Sequence, residues 1–536
     1  MRSHSLLLIG GLLLAALLIR LPGITYGLPF LYVPDEVGVV QSAGLLATGN
    51  FTPAVFNYPL LFHVFLIPAH AGYFLYCLLS GVVENPSDFQ EFYFSHPTWF
   101  YLPARFISLV FGMLTIWAIY LLGRTIYDRR TGLLSAAISA FLPSLFGFSR
   151  IGKVETLFCF FVVMGMVYIY RVYRDNRWKD NLLAGIFGGL AIAAKYNGAL
   201  IALPLLLAHI FRFIQNRRSG IRDNQAGKLA AAAALMAIVS LPFLPFIYLG
   251  FRPGLQLLMR LRSSLFTIGG GSVPMSYSQT LFPFCRNLAA ASGVILPVLL
   301  VLSLLYYIFR GGRKEWLLLV PFLAAAVPLT FSGYPLVRYY LPWFLIALVP
   351  LSELALRITD KIHSSRWRSF AVIAFLLAVL LQPLAIIRTK IYLSSQTDTR
   401  SLAYDWVIDN IPPDTLIVLE NNISPIKNRE NEGVPACDRY RTIKIPNHYQ
   451  AFYGGQNWVR KTEEETPTID ELREKGVSVV IINSTNYGKY EENPESFPRR
   501  LGFYRKLSEE TQLMAEFPAH PKERMGPGIK IYRIEP

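Results

Sequence analysis

Apolar runs long enough to cross a bilayer recur from the start of this sequence to about residue 390, and they set what the chain can fold into. A helical span takes roughly 20 mostly apolar residues. Runs of this kind cover 5–22, 103–123, 132–149, 156–170, 182–194, 197–214, 229–250, 288–309, 316–331, 339–356 and 369–387, about eleven in all. In hydrocarbon every backbone polar group must be satisfied within the protein, so such a chain folds as a bundle of helices. Only 16% of the 536 residues are charged, against roughly 25% in soluble domains, which excludes a single soluble globule. The same low charge, with 14% aromatic residues, excludes a disordered chain.

Charge divides the sequence in two. From Thr389 onward there are 20 Lys/Arg and 22 Asp/Glu, whereas the first 388 residues hold 31 basic and only 13 acidic residues. A basic, acid-poor, apolar part followed by a balanced polar one reads as a polytopic membrane domain over 1–390 and a soluble α/β domain over 395–536. Nucleic-acid binding, the other usual meaning of a strongly basic chain, is disfavoured because the basic residues lie between apolar runs and not in one stripe. Cys77, Cys159, Cys285 and Cys437 show neither metal spacing nor a CxxC pair, so a disulfide framework is not expected. Leu6 to Ile19 has the length of a signal-peptide core, but Arg20 to Thr25 lacks a small-x-small cleavage site, and the run is read as an uncleaved first span.

The apolar run 59–82 decides the orientation. If it is counted as a helix on the outer surface and not as a span, five short loops that together carry eighteen Lys/Arg (among them Arg124, Arg171, Arg217, Arg310 and Arg368) share the cytoplasmic side. The opposite parity reverses this positive-inside bias. The expectation is therefore a cytoplasmic N-terminus, a first outer loop over about 23–100 and an extracytoplasmic tail. In the tail, 415–420 and 477–482 read as buried strands, 528–534 as a last strand, 402–411 as a helix ended by Pro412-Pro413, and Thr468 to Glu471 as a capping box.

With so few acids in the membrane part, their positions are informative. Asp35, Glu36 and Glu155 fall at the outer ends of apolar segments. Ionisable residues at such depth are costly and point to function, although Asp35 or Glu36 capping a helix that starts near Val37 explains either one singly. Arg105, Arg150, Lys195 and Arg338 fall on the same side. Each alone reads as a snorkelling anchor. Together, a carboxylate that accepts a proton and cations that stabilise a departing phosphate suit a transfer with an anionic leaving group.

Several segments resemble the GT-C membrane glycosyltransferases, specifically the bacterial relatives of protein O-mannosyltransferases and of the lipid A aminoarabinose transferase. They are Pro34-Asp35-Glu36; Asn57-Tyr58-Pro59-Leu60, with Leu60 where the family has a second proline; Ala104 to Ser108; Leu121 to Arg124; Ser149 to Glu155, with Glu155 in place of Asp; Ala194-Lys195-Tyr196-Asn197-Gly198; and Arg338-Tyr339-Tyr340-Leu341-Pro342. The resemblance implies a GT-C fold and a donor sugar on undecaprenyl or dolichyl phosphate, attacked by an acceptor hydroxyl on the outer face, usually with inversion. It implies Asp35 as general base, Glu36 as its support or an acceptor contact, and Glu155 as a second acid. Lys195, Arg105, Arg338 and Arg150 would hold carrier phosphate, and Tyr58 and Tyr196 would shape the pocket. No cofactor is demanded; a divalent metal is conceivable at Glu155, yet no His cluster marks a site. Protein, lipid A or another envelope glycan all remain as acceptors, in a bacterial inner membrane.

Two other classes stand beside the enzyme. A transporter or flippase for lipid-linked sugars fits the span count, but no internal repeat is visible. A membrane-anchored sensing or assembly protein fits the tail, but about eleven spans exceed what an anchor needs.

Overall fold

A computed structural model describes residues 2–221, 223–266, 277–330, 337–420, 426, 439–445, 456–491 and 494–535. Cys437 and residues 334–336 of the Arg338 segment lie outside the described residues. Helices dominate as far as Ser395, and a five-stranded sheet follows. Seven described helices are long and apolar enough to cross a membrane: Leu61–Leu79, Thr98–Ile126, Glu155–Arg174, Tyr196–Arg218, Gln225–Phe243, Leu341–Thr359 and Ser365–Asn410. Their outward faces are apolar too, as at Leu377 and Leu381 on the last of these. The protein is an integral membrane protein. Expected spans at 5–22, 182–194 and 316–331 are also helices, but shorter or more polar ones: Arg2–Arg20, Trp178–Ala194 and Arg313–Thr330.

Three of the expected single spans are broken; 229–250 ends at Phe243, and the short helix Pro245–Leu249 follows an extended Leu244. The run 132–149 forms helices Arg129–Ala140 and Pro143–Phe148. Pro143 has no N–H to continue the ladder and keeps Leu142 extended, and the fully buried Arg20 takes up the freed Ala140 carbonyl at 2.8 Å. The run 288–309 is two helices bent by 109° between Ser292 and Ile295. Gly293 at the bend has φ +80°, a conformation side chains resist, and Gln382 Oε1 accepts the exposed Val294 N–H at 2.8 Å. Leu61–Leu79, read from the sequence as a surface helix, qualifies as a span by length and composition. Its contacts run along the first half of Thr98–Ile126: Phe65 meets Phe111, His70 bonds the Phe100 carbonyl and Tyr73 packs on Phe100.

Helices approach closely where residues are small. A Cβ on Gly123 would lie 2.8 Å from Gly132 Cα, and one on Gly189 would lie 2.7 Å from the Met236 carbonyl. This is the close backbone packing that lets helices associate without a hydrophobic drive between them.

The tail sheet has strands β1 (Leu416–Glu420), β2 (Arg441–Ile445), β3 (Val479–Asn483), β4 (Gln512–Phe517) and β5 (Ile529–Arg533) in the order β2-β1-β3-β5-β4. β1 pairs in parallel with β2 and β3; β5 pairs antiparallel with β3 and β4. Side chains alternate across the sheet. Ile417 and Leu419 face Ala403 and Val407 of helix Thr399–Asn410, while Val418 faces Leu472, Phe503 and Leu507 on the other side. The capping box at Thr468 is present, with Glu471 reciprocating. This domain is fastened to the first loop. Arg400 grips Asp398 through Nε and Nη2, both at 2.8 Å, and stacks over Tyr32; Tyr26 donates to Asp398 at 2.5 Å.

Glu420 ends β1 inside the sheet domain, buried against the Asn483 amide, the Asn483 side chain and the Tyr504 hydroxyl. Burial raises its carboxyl to about 7, although the bonds from Tyr504 and Asn483 pull the other way. With the folded value above the unfolded one, its contribution to stability is complete below the usual carboxylate range and is lost as pH rises through about 7. Amide exchange at β1 and β3 should accordingly be more protected at pH 5 than at pH 8, after correction for intrinsic rates. Glu420→Gln should remove that difference.

Candidate active site

Pro34 opens helix Pro34–Ala47, so Asp35 and Glu36 both sit in its first turn, where the amide dipoles favour negative charge. Neither is an N-cap, the alternative raised by the sequence; the helix begins three residues earlier than Val37 because proline is pre-set for the first helical position. The two neighbours point to different surroundings. Glu36 is 1% exposed and the Asp35 side chain 55%.

Glu36 is spent on structure. Arg105 holds it with a two-pronged ion pair, Nη2 to Oε2 at 2.6 Å and Nε to Oε1 at 2.9 Å. Oε1 also accepts the Gly152 N–H at 2.5 Å. Arg105 Nη1 donates to the carbonyls of Ile24 (2.5 Å) and Tyr26 (2.9 Å). Four of the five N–H groups of Arg105 are thereby committed to Glu36 and to first-loop carbonyls, and Glu36 itself is buried, so both residues expected to contact substrate are engaged in holding the fold.

Asp35 faces a different set. Its Oδ2 accepts from Lys153 Nζ at 2.6 Å and from Arg338 Nη1 at 2.8 Å. Lys153 Nζ lies 3.6 Å from Glu155 Oε1, and Lys195 Nζ lies 3.4 Å from the same oxygen. The result is one row of alternating charge, Arg338, Asp35, Lys153, Glu155, Lys195, with one positive charge in excess. Burial acts to raise the Asp35 carboxyl, but Lys153 and Arg338 outweigh it and hold the group below the usual carboxylate range. Oδ1 of Asp35 accepts no bond among the described residues, and Glu155 Oε2 is buried without a partner.

The local fold sets each member. Ser108 Oγ accepts the Lys153 N–H at 3.1 Å and donates to its carbonyl at 3.0 Å, pinning the turn that leads into helix Glu155–Arg174. Helix Trp178–Ala194 stops at Lys195, which is extended. Its ammonium reaches the Arg338 carbonyl at 3.3 Å and lies over the Tyr339 ring, and Asn197 Nδ2 bonds the Tyr339 carbonyl at 3.0 Å. The lysine hinge and the Arg338 turn are thus locked to each other.

Tyr58 is within electrostatic reach of Asp35, Lys153, Glu155 and Arg338, and burial raises its hydroxyl. Tyr196 acts at one remove: its hydroxyl donates to the Phe56 carbonyl at 2.7 Å, two residues before Tyr58. Arg150 stands apart from the row. Its Nη2 reaches the Pro22 carbonyl and Ser394 Oγ, and its guanidinium stacks on Phe146. Lys153, 1% exposed and central to the row, is the member that sequence reasoning left among the framework residues of Ser149 to Glu155. Its place two residues before Glu155 was the available signal. A divalent cation does not fit this row, because the Lys153 ammonium occupies the position between the two carboxylates. No group of three or more His, Cys, Asp or Glu able to hold a metal occurs among the described residues.

Known proteins match this architecture. Residues 101–246 match the family described as dolichyl-phosphate-mannose-protein mannosyltransferase. The oligosaccharyltransferase of Archaeoglobus fulgidus tethered with an acceptor peptide superposes with TM-score 0.55 at 15% identity, over 93% of this chain and 72% of that one. ArnT from Cupriavidus metallidurans in the apo state superposes with TM-score 0.50 at 12% identity, over 100% and 98%. The chain has the GT-C fold. A further oligosaccharyltransferase structure from Archaeoglobus fulgidus, AglB in complex with an inhibitory peptide and a dolichol-phosphate, superposes with TM-score 0.50 at 15% identity, over 93% of this chain and 72% of that one. Direct sequence comparison with curated proteins gives no match. The matched stretch in this GT-C chain contains Arg105, Lys153, Glu155 and Lys195; Asp35 and Arg338 are brought to it by the fold.

Removing one partner of a buried ion pair leaves an uncompensated charge. Arg105→Ala should destabilise the GT-C domain by about 3–5 kcal/mol, read as a lower melting temperature of the detergent-purified protein. Arg105→Lys should fail to restore it, since an ammonium lacks the planar fork.

Proposed function

We propose that this protein transfers a sugar from a polyprenyl-phosphate carrier to an acceptor hydroxyl, with Asp35 as general base. The observation that carries the reading is the ionised, partly exposed Asp35 carboxylate, with one free oxygen, beside Lys153 and Arg338. The acceptor oxygen attacks the anomeric carbon as its proton passes to Asp35 Oδ1. The bond from that carbon to the phosphate oxygen breaks, and the carrier leaves as a phosphate monoester with one more negative charge than before. Arg338, Lys153 and Lys195 stabilise the charge where it develops. A phosphate drawing on Arg338 and Lys153 also relieves Asp35 of opposing charge, which raises its proton affinity when a base is needed. One displacement inverts the anomeric centre. Glu155 positions Lys153 and Lys195, and its unpartnered Oε2 can receive an acceptor or sugar hydroxyl.

The likeness to a family described by a dolichyl-phosphate sugar donor, and to a fold that binds dolichol-phosphate in AglB, supports this donor class. With Leu61–Leu79 counted as lying on the outer surface, the basic loops support a cytoplasmic N-terminus and a site on the extracytoplasmic face; the resemblance to bacterial relatives points to a bacterial inner membrane. A sugar on a lipid carrier, and not a nucleotide sugar, is the donor available there.

In proteoliposomes supplied with polyprenyl-phosphate sugar and an envelope extract, Asp35→Asn should cut transfer by roughly 10²–10⁴-fold while the protein still inserts and melts normally. Unimpaired transfer rejects the assignment. The depressed Asp35 value also fixes the sign of the pH profile. Activity depends on the carboxylate, so it should be lost only as pH falls below the ordinary carboxylate range. Lys153→Gln, which removes an opposing charge, should move that acid limb to higher pH.

A further inference from the structure

Loop 21–33, which leads directly into Pro34 and Asp35, is gripped on two sides. On one side Arg105 Nη1 takes the Ile24 and Tyr26 carbonyls, and the same arginine holds Glu36. On the other side the loop meets the junction between helices Ser365–Ser395 and Thr399–Asn410, where the membrane part passes into the tail domain. Gly23 runs so close to Ser394 and Arg150 that a Cβ there would overlap both. The Tyr26 hydroxyl donates to Asp398 Oδ2 at 2.5 Å, Arg400 Nη2 reaches the same hydroxyl at 3.2 Å, and the Tyr32 and Ser401 hydroxyls lie 2.8 Å apart. Packing alone does not fix this loop. Gly23, Tyr26 and Val33 border a cavity of about 500 Å³, next to the charged row, with Met525 of the tail also in its wall. A segment backed by a void lacks contacts on that side to resist a shift.

We infer that Tyr26 and Asp398 are positioning residues of the transfer site, through which the tail domain sets Asp35 against Lys153 and Arg338. The inference rests on the proposed transfer and gives the tail a part in it. The connection is continuous. Asp398 fixes the Tyr26 hydroxyl, the Tyr26 carbonyl fixes Arg105, and Arg105 fixes Glu36, whose neighbour is Asp35. The Glu36 N–H also returns to the Val33 carbonyl at 3.1 Å, so a shift at the end of the loop passes into the first turn of helix Pro34–Ala47. Arg400 secures the fastening itself. It grips the buried Asp398 with two prongs and stacks over the Tyr32 ring at 3.9 Å, and a pair of this kind fixes geometry as well as adding energy.

The position of Asp35 can be read without turnover. Its side chain is 55% exposed and that of Glu36 1%, so a water-soluble diazoacetamide, which esterifies only a protonated carboxyl, reaches the first and not the second. The ionisable groups facing Asp35 are Lys153, Arg338 and Tyr58, with Glu155 beyond Lys153. Purified full-length protein is labelled across a pH series, and esterification at Asp35 is quantified by mass spectrometry. Tyr26→Phe removes one hydroxyl. Asp398→Asn removes a charge but keeps a side chain able to cap helix Thr399–Asn410. Nearby opposite charges lower a carboxyl by roughly 1–3 pH units, so loosening them should raise the labelling midpoint by about one unit in each variant. Transfer in proteoliposomes should fall by roughly 10–100-fold in kcat, and its acid limb should rise with the midpoint. Glu420→Gln, which alters the sheet domain away from this fastening, should leave both readouts at wild-type values. A midpoint unmoved in both variants overturns the inference, as does an equal shift in Glu420→Gln, which would make tail stability the cause. A midpoint that rises as expected, in a protein whose wild type transfers no sugar, supports the positioning of Asp35 and rejects the transfer reading alone.

Discussion

The buried pair between Glu36 and Arg105 is the contact on which the site depends. It ties three pieces of chain that are distant in sequence: the first turn of helix Pro34–Ala47, the start of helix Thr98–Ile126, and the Gly152 turn whose N–H Glu36 accepts. Ions moved out of water repay their desolvation only with good geometry and further hydrogen bonds. Here both carboxylate oxygens and four donor contacts of the guanidinium are used. Once Glu36 is fixed, its neighbour Asp35 faces Lys153, and the row of alternating charge follows.

That row is balanced toward holding an anion. Three cations share two carboxylates, each carboxylate keeps one oxygen free of hydrogen bonds, and the lysine between them takes the place a metal would need. The arrangement keeps Asp35 ionised at rest and makes its basicity respond to whatever negative charge arrives. The helix breaks serve the same end. Lys195 and Arg338 stand where regular helix stops, so their side chains and carbonyls are free to meet one another. The tail domain is fixed to the same loop through Asp398, Arg400, Tyr26 and Tyr32, and it lends Met525 to the neighbouring cavity.

Much of this was legible in the residues. Scarcity made the acids stand out, and Asp35, Glu155, Lys195 and Arg338 do meet. What could not be read was the division of labour. Asp35 and Glu36 are adjacent and chemically alike, and only packing shows that one is sealed against Arg105 while the other is open. Arg105 and Arg150 carry the same guanidinium as Arg338, but they are turned toward carbonyls of the first loop, a glutamate and a serine that lie far away in the chain, and not toward Asp35. Lys153 was hidden because only the fold brings Asp35, 118 positions away, to the other side of it from Glu155.

The sequence by itself determined that the chain is a membrane bundle with an α/β tail, because hydrophobic length, charge balance and strand alternation act locally and leave a periodic trace. It also determined the residue types from which a charged site can be built. The tertiary structure decided which of them touch, where apolar runs break at Pro143 and Gly293, and which acid is structural and which is exposed. Those outcomes depend on contacts between residues some 70 to 300 positions apart, and no local pattern encodes them.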